Sequence, residues 1–134
     1  MVEVHAQNRL SIMAACENSE SIVKLKYAGH TAAFPQTNQQ WLEWEILTNP
    51  KPYGYYTFTT SYRYEKNIIP GRHHIIFPMT EVEIKEDVNG LQKFQMDMIR
   101  ALGYKGKFAE GNFLDVAKKF KTDDIKHEHE QLLY

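Results

Sequence analysis

Two stretches of this chain alternate with period two and set reactive side chains at regular intervals. In residues 56–65 the odd positions are Thr57, Thr59, Ser61, Arg63 and Glu65, and the even ones are Tyr56, Phe58, Thr60, Tyr62 and Tyr64. Period two places these sets on opposite faces of a strand. The even face is apolar and is expected to pack on helices, while the odd face is polar and ends in a charge pair. Residues 66–72 read as a loop carrying Pro70 and Gly71. Residues 73–84 then alternate again, with His73, Ile75, Phe77, Met79, Glu81 and Glu83 on one side. Antiparallel pairing of the two strands would gather Arg63, Glu65, Phe77, Glu81 and Glu83 on one sheet face. Solvated faces mix Lys and Glu at random. Three carboxylates, an arginine and an exposed aromatic together have the composition of a site. A lone Arg-x-Glu is ordinarily a surface ion pair; Arg72, His73, Phe77 and two further acids on the returning strand change that reading.

Other reactive residues carry less. His127, Glu128, His129 and Glu130 invite a zinc reading. Helical histidine ligands sit at i and i+4, however, and these two are two apart on diverging faces, so a solvated helix end is expected. His73 and His74 are expected on opposite strand faces, unable to share a metal. Cys16 has no neighbouring nucleophile motif and reads as a small buried residue. Gly29, Gly54 and Gly71 stand alone, so no glycine-rich phosphate loop is present. Trp41 and Trp44, at helical spacing, read as core.

The elements that must position the charged face follow from pattern. Residues 22–27 alternate as a half-buried strand, 28–30 form a hairpin loop, and 31–34 a short return strand closed by Pro35. Asn38 caps a helix through Leu47, ended by Asn49, Pro50 and Pro52. Residues 88–102 form an amphipathic helix with Leu91, Phe94, Met98, Ile99 and Leu102 on one stripe and Gly103 as its stop. Asn112 caps a short helix to Phe120, and Thr122 caps a last helix running to the end of the chain. Strands crowd the first part and helices the second, which makes the fold class α+β, an antiparallel sheet flanked by helices.

Composition sets the bounds. The chain has 134 residues, 16 Lys+Arg against 17 Asp+Glu, 43% hydrophobic and 25% charged residues, which is ordinary globular composition. One domain over residues 1–134 is expected, burying roughly two-thirds of its unfolded surface. A net charge of −1 excludes a nucleic-acid binder that works by bulk positive charge. A single cysteine forbids an intrachain disulfide and suits a reducing compartment. The first residues carry no basic and apolar leader pattern, and no apolar run reaches the ~18 residues of a membrane span. A cytoplasmic protein with no membrane partner is expected.

The charged face resembles a known family. Arg63 and Glu65, then Arg72 and His73, then Phe77, then Glu81 and Glu83 are similar to motif 2 of class II aminoacyl-tRNA synthetases, in the aspartate, asparagine and lysine subgroup. That motif reads Phe-Arg-x-Glu, a loop, Arg-His-x-x-Glu-Phe, then acids on the returning strand. Upstream, residues 15–18 resemble the acidic loop before the first hairpin. Residues 35–39 resemble the Gln-Ser-x-Gln segment that opens the next helix, and residues 2–5 the end of motif 1. Residues 104–134 look like the stretch after motif 2 in synthetase-related proteins, including asparagine synthetase-like paralogues. The resemblance covers nearly the whole chain.

The resemblance implies ATP-dependent activation of an amino acid, aspartate or asparagine, through an aminoacyl-adenylate. It makes Arg63 the catalytic residue, bridging the ATP α-phosphate and the amino-acid carboxylate, both suited to a guanidinium fork. Glu65 would orient the adenine amino group or the motif 2 loop. Arg72 and His73 would meet the distal phosphates, and Phe77 would stack on adenine. Glu81 would help hold Mg²⁺ or the nucleotide. Glu17 and Gln36 would contact the substrate amino group, with Gln39 supporting that pocket. The acceptor would be tRNA, reached through regions outside this sequence, or ammonia in an asparagine synthetase-like paralogue. The competing class is a non-catalytic module that keeps the nucleotide or amino-acid pocket. Three departures stand out. Ile76 replaces the family's acid before the stacking Phe, motif 3 does not appear, and the motif 1 helix that builds the family's homodimer is missing. The expectation is a partial catalytic core, truncated before motif 3.

Overall fold

The computed structural model describes residues 1–5 and 19–132; the expectations for Cys16 and Glu17 lie outside them. The chain divides into two compact units, Met1–Leu91 and Gln92–Tyr134. No helix among the described residues is long and apolar enough to cross a membrane.

The first unit is built on a three-stranded sheet. Strand β1 (Val2–Glu3) pairs parallel to β4 (Gly54–Tyr62), which pairs antiparallel to β5 (Ile76–Ile84), in the order β1-β4-β5. Beside it stands a hairpin, β2 (Lys24–Tyr27) and β3 (His30–Ala33), preceded by a 3-10 turn at Ser19–Ser21. The hairpin loop is two residues long, Ala28 and Gly29, at φ 49° and 80°. Positive φ at both is what the strand-matching type I′ turn requires, so His30 lies in the return strand opposite Tyr27. Helix α1 (Gln39–Thr48) packs on both β4 and β5.

Both motif-bearing strands are shorter than their alternation suggests. β4 ends at Tyr62, although Arg63 N still donates to Ile75 O at 2.9 Å. The chain then leaves β5, and Tyr64 N donates to Ser21 O at 2.8 Å. β5 begins at Ile76 because residues 69–73 are a turn, with Arg72 N and His73 N both bonded to Ile69 O.

The sheet is covered on the face opposite to the one expected. Tyr55, Thr57 and Ser61 are buried, whereas Phe58 is 66% and Tyr64 58% exposed. The cause is the start of α1, whose polar residues bond downward onto the odd face and cover it. Leu42 points into that contact and is fully buried. Trp44, two residues on, lies about 200° around the helix and is exposed, which corrects its assignment to the core. Tyr55 O–H donates to Asn49 O at 2.8 Å. Burial, with the nearby Glu45 charge, raises its pKa.

Helix α2 (Val88–Ala101) begins in the first unit and runs into the second, ending before Gly103 at φ 98°. Asp87 caps its start, accepting from Asn89 N and Gly90 N at 3.0 Å each. In the second unit Arg100 lies over the rings of Phe108 and Tyr104. Asn112 caps α3 (Phe113–Lys119), accepting from Leu114 N at 2.8 Å. Thr122 caps nothing. Its hydroxyl closes a turn on Asp124, and α4 is only His127–Glu130. His129 stacks on Phe120 while His127 lies near Glu130, so these histidines serve separate contacts.

Candidate functional site

The register of β4 and β5 decides what shares a face. Thr57 opposes Glu81, Thr59 opposes Met79, Ser61 opposes Phe77 and Tyr55 opposes Glu83. Paired residues project to the same side, so the odd face does carry Phe77, Glu81 and Glu83 beyond the end of which Arg63 follows. The site divides along that face into an open end and a covered end.

At the open end, Arg63, Glu65, Arg72, His73, His74 and Phe77 line a cavity of about 280 Å³. Arg63 Nε lies 3.0 Å from Glu65 Oε1, the charge pair expected at the strand end. Phe77 is half-buried and Arg72 exposed. The loop is held by its own backbone. Gly71 adopts φ 81°, and His73 Nδ1 accepts from Ile69 N at 3.2 Å and lies 3.2 Å from Asn67 O. His73 and His74 therefore line one cavity rather than opposite strand faces. They lie in the loop before β5, where period two does not apply. Two guanidinium groups against one carboxylate, with an aromatic wall, suit an anionic ligand with a planar part.

At the covered end lies the segment before α1. Pro35 O accepts from Tyr62 N at 2.9 Å. Gln36 is 3% exposed, and its Nε2 donates to Ser21 Oγ at 2.9 Å. Its Oε1 is buried with no partner among the described residues. Thr37 Oγ1 donates to Glu81 Oε1, and Asn38 N donates to Glu81 Oε2 at 2.7 Å. Asn38 Nδ2 donates to Thr59 Oγ1 at 2.8 Å, so its side chain does not cap the helix it precedes. Gln39 is exposed and its N–H bonds Thr37 Oγ1.

The arrangement therefore brings Arg63, Glu65, Arg72, His73 and Phe77 into one cavity and sets Gln36, Gln39 and Glu81 apart from its lining. The magnesium expectation for Glu81 gains no support from the geometry. Mg²⁺ needs oxygen ligands at about 2.0–2.1 Å in near-octahedral order, and both Glu81 oxygens already accept bonds. Among the described residues no group of three His, Cys, Asp or Glu could hold a metal ion. Sequence reasoning passed over Ser21, Thr37, Asn38 and His74. For Thr37 and Asn38 the signal was a polar run between a strand and a helix, which reads equally well as a loop; Ser21, before β2, and His74, before β5, had none.

The fold of this chain is similar to part of two solved asparaginyl-tRNA synthetases. The chain is similar to the asparaginyl-tRNA synthetase of Pyrococcus horikoshii, solved with asparaginyl-adenylate, at TM-score 0.66 and 20% identity over 87% of this chain. It is also similar to that of Entamoeba histolytica, again solved with asparaginyl-adenylate, at TM-score 0.62 and 16% identity over 99% of this chain. It spans about a third of the length of each, 33% and 36%. No family model and no curated protein matches it.

Proposed function

We propose that this chain is part of an ATP-dependent ligase core that activates an amino acid, asparagine or aspartate, as its adenylate for transfer to tRNA. The observation that carries this reading is the single cavity lined by Arg63, Glu65, Arg72, His73 and Phe77. In amino-acid activation a carboxylate oxygen displaces pyrophosphate from the α-phosphorus of ATP. Such chemistry asks the protein mainly for positioning and charge neutralisation. Arg63 offers its fork to the α-phosphate and to the incoming carboxylate, and Glu65 holds that fork in place from 3.0 Å. Arg72 and His73 face the distal phosphates, and Phe77 provides the wall for the base. Gln36 offers a buried acceptor, Oε1, that suits the ammonium of an amino acid.

The test is titration calorimetry with ATP followed by ATP–pyrophosphate exchange with each amino acid. ATP binding with exchange on asparagine or aspartate supports the reading, and no ATP binding refutes it. Binding without exchange at any amino acid marks the competing class, a pocket without turnover. Adenylate formation with ammonia as the productive acceptor marks an asparagine synthetase-like paralogue.

A further inference from the structure

We infer that Glu81 is a positioning residue that caps α1 from the neighbouring strand and thereby fixes Gln36 in the amino-acid site, an inference that rests on the function proposed above. A carboxylate this buried, 9% exposed, is costly unless its oxygens are bonded. Here Oε1 accepts from Thr37 Oγ1 and Oε2 from Asn38 N, at the very start of the ten-residue helix α1. Helix N-termini favour negative charge and leave donors unsatisfied. The residue at the N-cap position, Asn38, leaves that task undone: it has no capping bond and its amide faces Thr59 instead. The cap comes across the sheet, 43 residues away in sequence.

That makes Glu81 a ruler. The segment from Pro35 to Asn38 is pinned at four places: Pro35 O to Tyr62 N, Gln36 Nε2 to Ser21 Oγ, Thr37 with Asn38 to Glu81, and Asn38 Nδ2 to Thr59 Oγ1. Tyr62 precedes Arg63, and Ser21 O holds Tyr64 N, which follows it. Gln36 and Arg63 are thus referenced to one hairpin, whose register pairs Thr57 with Glu81 and Ser61 with Phe77. Loss of the Glu81 bonds removes the backbone tether at one end of the Gln36 segment, leaving that end held through the Asn38 side chain on Thr59 alone, and leaves the cavity residues in place.

The experiment compares wild type with Glu81→Gln and Thr37→Val, each checked for retained fold by circular dichroism. Calorimetric titration uses ATP alone, then asparagine in the presence of ATP. The expected result is ATP affinity within about twofold of wild type and asparagine affinity down about tenfold in both variants, with the double variant no worse than the more severe single. A ligand-free readout accompanies it: the side-chain amide resonances of Gln36 shift in Glu81→Gln, and the Asn38 amide loses exchange protection. Unchanged Gln36 resonances overturn the inference, and so does equal loss of ATP and asparagine affinity. Wild type that binds neither ligand overturns the proposed function alone, because the Gln36 resonances still report on the tether.

Discussion

Replacing Arg63 with Ala should abolish most of the chain's affinity for ATP, and the size of the loss can be worked from the cavity. Its formal charges are Arg63, Arg72 and Glu65, a balance of +1 with the histidines neutral. Arg63→Ala takes that balance to zero and also strips Glu65 of the guanidinium held 3.0 Å away. An ionised carboxylate is then left facing the phosphates. Hydrogen bonds to charged groups contribute about 1.5–3 kcal/mol each. Loss of the fork should therefore cost about 3 kcal/mol, on the order of a hundredfold in Kd. Arg63→Lys keeps the charge without the fork and should lose about tenfold. Arg63→Ala with Glu65→Ala should regain about tenfold over Arg63→Ala, because the uncompensated carboxylate is gone. The fold should survive all three, since Arg63 joins the sheet through its backbone N–H to Ile75 O. Calorimetric titration of ATP at low and high salt reads every term, and the salt dependence should shrink in Arg63→Ala. An Arg63→Ala protein that is folded and binds ATP within twofold of wild type would refute the assignment of this cavity.

Four further changes probe the frame around the site. Ala28 sits at φ 49° in the hairpin loop, so Ala28→Asn should raise stability by about 0.5–1 kcal/mol, seen as a higher melting temperature. A Cβ on Gly54 would lie 2.5 Å from Glu83 O and 2.8 Å from Ile84 Cγ2, and Gly54→Ala should lower stability by about 1–3 kcal/mol in urea unfolding. Asn112→Ala removes the bond to Leu114 N and should cost about 1 kcal/mol, with faster amide exchange confined to α3. The Asp87 carboxyl titrates below its ordinary value of 3.8 because Gly90 N and then Asn89 N donate to it. Its support for the start of α2 is therefore complete at neutral pH and is lost as pH falls past 3.8 toward the lowered folded value. Exchange at Asn89 and Gly90 should accelerate over that range in wild type and be insensitive to pH in Asp87→Asn once intrinsic rates are removed.

Element types were legible where one local rule dominated. Gly103 stops α2 and Asn112 caps α3 because each acts within a single turn. The shared side of Phe77, Glu81 and Glu83 followed from period two, and the antiparallel pairing on which the joint face was conditional is the one the structure has. The errors arose where a local signal competed with a distant partner. Asn38 reads as a cap, yet Glu81 does the capping. Thr122 reads as a cap, yet closes a turn on Asp124. His73 and His74 alternate on paper, yet both lie in the loop before β5, which begins only at Ile76. Residues joined only by folding, such as Ser21 with Gln36, leave no trace in spacing.

The inverted sheet face is the most instructive of these errors, because it follows from sound arithmetic applied to the wrong quantity. Apolar burial at roughly 25 cal/mol per Å² favours covering Phe58 and Tyr64 over Thr57, Ser61 and Glu81. The chain covers the second set. Such a choice is tolerable only when each buried polar atom finds a partner, and most do: Glu81 on Thr37 and Asn38, Thr59 on Asn38, Gln36 on Ser21. A face sealed by hydrogen bonds has an orientation that a greasy face lacks, because each bond fixes one donor against one acceptor. That specificity suits the support of a site, where a shift of about 1 Å is costly. Two acceptors within the network, Gln36 Oε1 and Asn38 Oδ1, are left without a partner among the described residues, and the first is the one a ligand's ammonium donor would complete under the function proposed above. Hydropathy ranks this face as surface; counting donors against acceptors ranks it as the place where binding is prepared.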